Sequence, residues 1–372
     1  MKLKASVKTV FPDALLIIFA IASLIILPIR TFQLIKLVDP KTGFFTDGSN
    51  PTVIILYTVI VLVALIMLGA SYASANIPAS VPPSGKKRPL GIVSAVFAVS
   101  FLIDAIVQIT SVVVMLGDKT EVALPTLTAQ NAWFPLVFQA LFALVSTVYF
   151  FAVAISYITG KTSYTNNRLM ALAPLLWAFC RMIFRFMRAI SFVKVSELLL
   201  ELFAIALLIV FFMAFARISS DVNRKGTMWI IFGAGLSSAM LLLCISVPRI
   251  ILVLTGNSEM LVNHSPLEYA DFPAALFILT YILTILRSGY KTEGEYEAEQ
   301  AEKKENAEAA VEAVEEETSE TVTETAEAEE APEITSEQEN IEEKEPEKEE
   351  PAKEEPEKIP FDVKNLIDDL KD

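Results

Sequence analysis

Residues 52–74 read TVIILYTVIVLVALIMLGASYAS, twenty-three positions without a charged side chain. As a helix rising 1.5 Å per residue, this stretch is about 34 Å long, enough to cross a hydrocarbon core. A helix is also the form such a run must take in lipid, because it satisfies every backbone amide within the segment. Working outward, seven more apolar runs of comparable kind lie at 13–29, 91–117, 132–158, 168–190, 196–217, 227–254 and 271–286. The predicted fold is therefore an all-α integral membrane protein, a polytopic bundle of about eight transmembrane helices within 1–288.

The charge balance marks where that domain stops. Residues 1–286 hold 20 Lys+Arg against 12 Asp+Glu, a net of +8, and residues 287–372 hold 10 against 32, a net of −22; together they give the whole-chain −14. The hydrophobic fraction of 53% is concentrated in the first part. The start of the chain imitates a signal peptide, with Lys2, Lys4 and Lys8 ahead of an apolar run containing Ala20-Ile21-Ala22. The run continues through Leu24–Leu27 instead of turning polar, so retention as a first spanning helix is expected.

Lys and Arg collect on the cytoplasmic side of short loops. The N-terminus, loop 75–90 with Lys86-Lys87-Arg88, loop 159–167 with Lys161, and loop 217–226 with Arg217, Arg224 and Lys225 are the rich ones. The alternate loops carry Lys119, Lys194 and, over 255–270, none. The first alternate loop is the exception, holding Arg30, Lys36 and Lys41. The pattern predicts a multi-pass protein of the plasma membrane with both termini cytoplasmic. In that exceptional loop, Asp39-Pro40-Lys41-Thr42-Gly43 is turn chemistry, and Phe44-Phe45 read as an interfacial anchor.

Ionisable residues inside the apolar runs are the candidate site. Arg181, Arg185 and Arg188 follow at spacings of 4 and 3, which places them on one face of the fifth helix. Arg181 and Asp104 each lie 13 residues from the cytoplasmic start of their segments, about 20 Å in. Gln108 and Ser111 continue the Asp104 face. Glu197 and Glu201 open the sixth segment near the level of Arg188 and Arg185, and Arg249 follows Pro248 in the seventh at the same outer level. One reading is internal pairing, Arg181 with Asp104 and Arg185 or Arg188 with Glu197 or Glu201, since intramembrane charges pair with one another. The other is a pocket for a small anionic ligand, because four Arg outnumber three carboxylates and leave a guanidinium over.

Other chemistry is missing from the sequence. Cys180 and Cys244 both fall in apolar runs, and the one histidine, His264, falls in a polar loop, so no metal site, cofactor or disulfide framework is expected. No phosphate loop, HExxH or nucleophile elbow occurs, and no enzymatic activity or nucleic-acid binding is expected. Asn263-His264-Ser265 fits a glycosylation acceptor by chance-level matching only. Gly233, Gly235, Ser237 and Ala239 let the seventh helix approach its neighbours closely. Gln139, Ser146 and Tyr149 form a weak polar stripe on the fourth. No inverted repeat relates the first four helices to the last four, which argues against a secondary transporter.

Residues 289–358 are predicted to be a disordered acidic, Glu/Pro/Lys-rich cytoplasmic tail. Glu/Ala-rich 293–317 has no heptad, and from Glu345 a period of five repeats a Glu-Pro pair, an extended, self-repelling spacer. The last fourteen residues differ. Asp362 is a good N-cap, Phe361 before it can staple onto Leu366, and Val363, Leu366, Ile367 and Leu370 repeat at helical spacing. Residues 359–372 thus resemble a short amphipathic docking helix that folds on a partner. The sequence predicts a non-enzymatic multi-pass membrane scaffold or sensor recruiting a cytosolic protein through 359–372. The alternative is a transporter or receptor for a small anion or anionic lipid at the Arg/Asp/Glu cluster.

Overall fold

The computed structural model describes residues 12–37, 45, 51–74, 77–117, 133–161, 168–187, 195–222, 226–257 and 268–288, with 295, 296, 298, 299 and 301–303 beyond them. The expected anchor Phe44, Arg188, the side chain of Glu197, most of the tail and all of 359–372 lie outside the described residues. The chain divides into two compact units, Met1–Glu308 and Ala309–Asp372.

The first unit is an all-α membrane bundle with no strand among the described residues. Its helices are α1 Pro12–Lys36, α2 Pro51–Ala73, α3 Arg88–Gly117, α4 Trp133–Thr159, α5 Ala173–Met187, α6 Val195–Ser219, α7 Met228–Leu254 and α8 Asp271–Arg287. A 3₁₀ turn, Arg168–Leu172, leads directly into α5. Pro174 lies in the first α-helical turn, where the missing N–H has no partner to lose.

Among the described residues seven spans are long and apolar enough to cross a membrane, counting Arg168–Met187 as one. The expected eighth, α8, has 17 residues and reaches about 25 Å, the short limit for a spanning helix. The first span is longer than expected. It runs unbroken through Pro28 to Lys36, so Arg30 and Lys36 belong to the helix and not to a loop. Membrane helices tolerate an internal proline where hydroxyls and neighbours satisfy the loosened backbone, and here Thr31 Oγ1 donates to the Leu27 carbonyl at 2.8 Å.

Helix α7 is the centre, with 89% of its apolar window buried, and α2 is the periphery, with 17%. The small residues of α7 explain its position. A Cβ on Gly233 would meet Leu68 Cα of α2 at 3.3 Å, and one on Gly235 would meet Phe211 of α6 at 3.0 Å and Ile278 of α8 at 3.2 Å. Helices α3 and α4 cross just as tightly, where a Cβ on Gly91 would lie 2.6 Å from Ile158 Cγ1 and 3.0 Å from the Ala154 carbonyl. Between these contacts sits an aromatic core of Phe97, Phe101, Phe150, Phe215, Phe277 and Tyr281, with Phe97 and Phe101 centroids 4.5 Å apart. Outward-facing Leu24, Ile54, Leu65 and Phe203 are exposed, as lipid-facing positions are in the absence of an aqueous driving force.

One end of the bundle is closed by backbone-directed bonds. Gly160 ends α4 at φ +85, and the Lys87 N–H donates to the Tyr157 carbonyl at 2.8 Å, fastening the start of α3 to the end of α4. Ser80 Oγ accepts the N–H groups of Thr227 and Met228 at 3.1 Å each, a cap for α7 supplied by another segment.

Candidate functional site

The ionisable side chains gather towards the opposite end, where α5 and α7 finish and α6 and α8 begin. The amphipathic α5 turns its arginines inward: Arg181 and Arg185 are 2% and 7% exposed. Arg181 makes a two-pronged contact with Asp271, Nη1 to Oδ1 at 2.5 Å and Nη2 to Oδ2 at 3.1 Å. Glu268 stands 3.9 Å from the same guanidinium. One turn further, Arg185 lies between Glu268, which it hydrogen-bonds, and Glu201, at 3.4 Å. Glu201 in turn accepts Arg249 Nη2 at 2.8 Å. The result is a chain of alternating charge from α8 through α5 and α6 to α7: three guanidiniums on three carboxylates.

Asp104 occupies the other flank and is not in that chain. The expected Arg181–Asp104 pair is replaced, because Arg181 turns to Asp271. Asp104 instead accepts Trp177 Nε1–H at 2.7 Å, Gln108 Nε2–H at 3.1 Å and Gln139 Nε2–H at 3.3 Å. Trp177 precedes Arg181 by four residues, and the guanidinium carbon stands 5.6 Å from the indole centroid. Trp177 therefore touches both groups, one through its edge and one near its ring.

Of the seven cluster residues read from the sequence, Asp104, Arg181, Arg185, Glu201 and Arg249 come together here, and Arg188 and the Glu197 side chain are outside the described residues. Gln108 joins as expected. Ser111 does not; its hydroxyl bonds to its own helix at Val107. Gln139 of the weak stripe joins, and Ser146 bonds to its own helix at Phe142. The sequence reading missed Trp177, Glu268, Asp271 and, at the edge of this level, the buried Arg30. The signal for the acids was available: two carboxylates at i and i+3 opening a helix, at the level where a neighbouring helix ends in arginines. Among the described residues Glu268 and Asp271 add two carboxylates to the layer.

Arg30 of α1 is 1% exposed and donates to Gln33 Oε1 at 3.1 Å, while Gln33 Nε2 reaches Thr52 of α2 at 3.4 Å. Among the described residues no group of three or more His, Cys, Asp or Glu side chains is arranged to hold a metal ion. Cys180 and Cys244 are both free thiols.

These features define the class: a multi-pass α-helical membrane protein whose bundle is cross-linked by buried, mutually neutralising charges. No family model matches the chain, and neither a curated protein nor a solved structure matches it.

Proposed function

We propose that this protein is a non-enzymatic membrane scaffold or sensor that recruits a cytosolic protein through residues 359–372. In this reading the bundle resides in the plasma membrane with both termini cytoplasmic, an orientation that the lysine and arginine asymmetry of its loops supports. The observation that carries the reading is the charge balance of Arg181, Arg185 and Arg249 against Glu201, Glu268 and Asp271. A binding site for an anion keeps a guanidinium for its ligand; here each of the three already holds a carboxylate. Such a layer fixes helix register, which is what a platform needs. The amphipathic stripe read from the sequence over 359–372 is the segment that this reading assigns to the partner.

The second reading, a transporter or receptor for a small anion or anionic lipid, uses the same cluster and requires a ligand to displace Glu268 or Glu201 from Arg185. Crosslinking in intact membranes followed by mass spectrometry tests the first reading. The full chain should capture a cytosolic protein that a chain cut after Lys358 does not. Identical captures would remove the tail from the function.

A further inference from the structure

Asp104 is the carboxylate of this layer that makes no direct ion pair with a guanidinium among the described residues. It is 2% exposed and lies in the apolar bundle, held by three neutral N–H donors. Neutral donors stabilise a carboxylate without supplying the opposite charge, so its ionised form depends on them and on the surrounding field. The second observation is on Gln139. This side chain is 1% exposed, its Nε2 points at Asp104, and its Oε1 is buried without a hydrogen-bond partner. A buried amide oxygen left without a donor carries a desolvation cost. A proton on Asp104 would supply that donor once the amide turns over, at the expense of leaving its NH₂ without an acceptor.

We propose that Asp104 is a reversible proton-binding site of the membrane domain, with Gln139 as the side chain that reads its occupancy. With Asp104 ionised, Gln139 presents its NH₂ and donates, as seen. When a proton from water attaches to an Asp104 carboxylate oxygen, that oxygen becomes a donor. Gln139 then turns its amide over and accepts through Oε1. In both states one end of the amide faces Asp104 and the other faces the dry interior, so the two orientations are nearly balanced and the proton decides between them. The charged groups that act on Asp104 are Arg181 from α5 and Glu268 just before α8. Helix α4, packed along α3, carries no Asp, Glu, Lys, Arg or His. Protonation removes a negative charge from the neighbourhood of Arg181 and leaves that guanidinium to Asp271 and Glu268 alone. Proton occupancy is thereby tied to the chain of pairs that joins α5 to α8, α6 and α7. This goes beyond the recruitment reading and does not depend on it, since the tail takes no part.

Infrared difference spectroscopy on the full-length protein in lipid nanodiscs, titrated with acid, tests the proposal. A protonated-carboxyl C=O band should grow as pH falls and be absent from Asp104→Asn. Trp177→Phe removes a donor that favours the ionised form, so the midpoint should move to higher pH by about one to two units. Gln139→Leu removes a donor to one state and the acceptor for the other, so its midpoint should move less while the band changes position. The Trp177→Phe shift carries the test even if Asp104→Asn fails to fold. A spectrum with no titrating carboxyl band, a band retained in Asp104→Asn, or a midpoint unmoved in Trp177→Phe would each overturn the assignment.

Discussion

Arg181 illustrates what it takes to place a cation inside a membrane bundle. Its guanidinium is met by a two-pronged carboxylate, Asp271, with the Trp177 ring nearby. Breaking one buried pair leaves a charge with no compensation, at a cost on the order of 3 kcal/mol or more. Asp271→Ala should therefore destabilise the protein by about 3–5 kcal/mol, and Asp271→Ala with Arg181→Ala by less than the sum of the two single changes. A double-mutant cycle in reversible unfolding from lipid would measure this. The same cycle for Asp104 and Arg181 should show the smaller coupling, and the reverse ranking would contradict the observed pairing. Depth along a helix was legible in the sequence, which is why Arg185, Glu201 and Arg249 were assigned to one level. Which helix stands beside α5 was not, because spacing within a segment says nothing about lateral order. Asp104 matches Arg181 in depth and Asp271 went unread, and only the packing of α5 against its neighbours decides between them.

At the scale of elements, glycine positions report how the helices meet. Gly91 faces α4 so closely that an added methyl would collide with Ile158 and the Ala154 carbonyl, whereas a methyl on Gly69 of α2 would meet nothing within 4 Å. Gly91→Ala should destabilise by about 1–3 kcal/mol through overpacking. Gly69→Ala should be neutral or stabilising, by up to about 1 kcal/mol from helix propensity. Thermal unfolding of the two purified variants compares them directly, and equal effects would contradict the α3–α4 contact. The long apolar runs made the number and kind of helices readable to within a few residues. Two boundaries escaped for physical reasons. The apolar run 13–29 stops before Arg30, yet α1 continues to Lys36 and carries Arg30 into the bundle. Glu268 falls in the polar stretch 255–270 and Asp271 opens the run 271–286, yet both meet guanidiniums of α5, and the Asp271 side chain is packed inside.

At the scale of the whole molecule, the proposed function requires the tail to lie on the same side as loop 75–90. In intact cells an impermeant maleimide should label Asn263→Cys and leave Glu330→Cys unlabelled, in a background where Cys180 and Cys244 are buried. Labelling at 330 from outside would invert the topology and exclude a cytosolic partner. In the proposed function the 55 residues 304–358 are the spacer, and a flexible coil of that length spans about 37–45 Å end to end, more with charge repulsion. The proposed function uses such a tether to raise the effective concentration of the terminal motif for a membrane-proximal partner. On the helix that the sequence predicts, Leu366 and Leu370 share one face and are the expected anchors. The most direct measurement is quantitative crosslinking of the full-length protein in native membranes, comparing it with Leu366→Asp and Leu370→Asp combined. The proposed function predicts that a cytosolic protein captured by the parent chain is lost from the double variant while the bundle remains folded. Equal capture by both chains would contradict it.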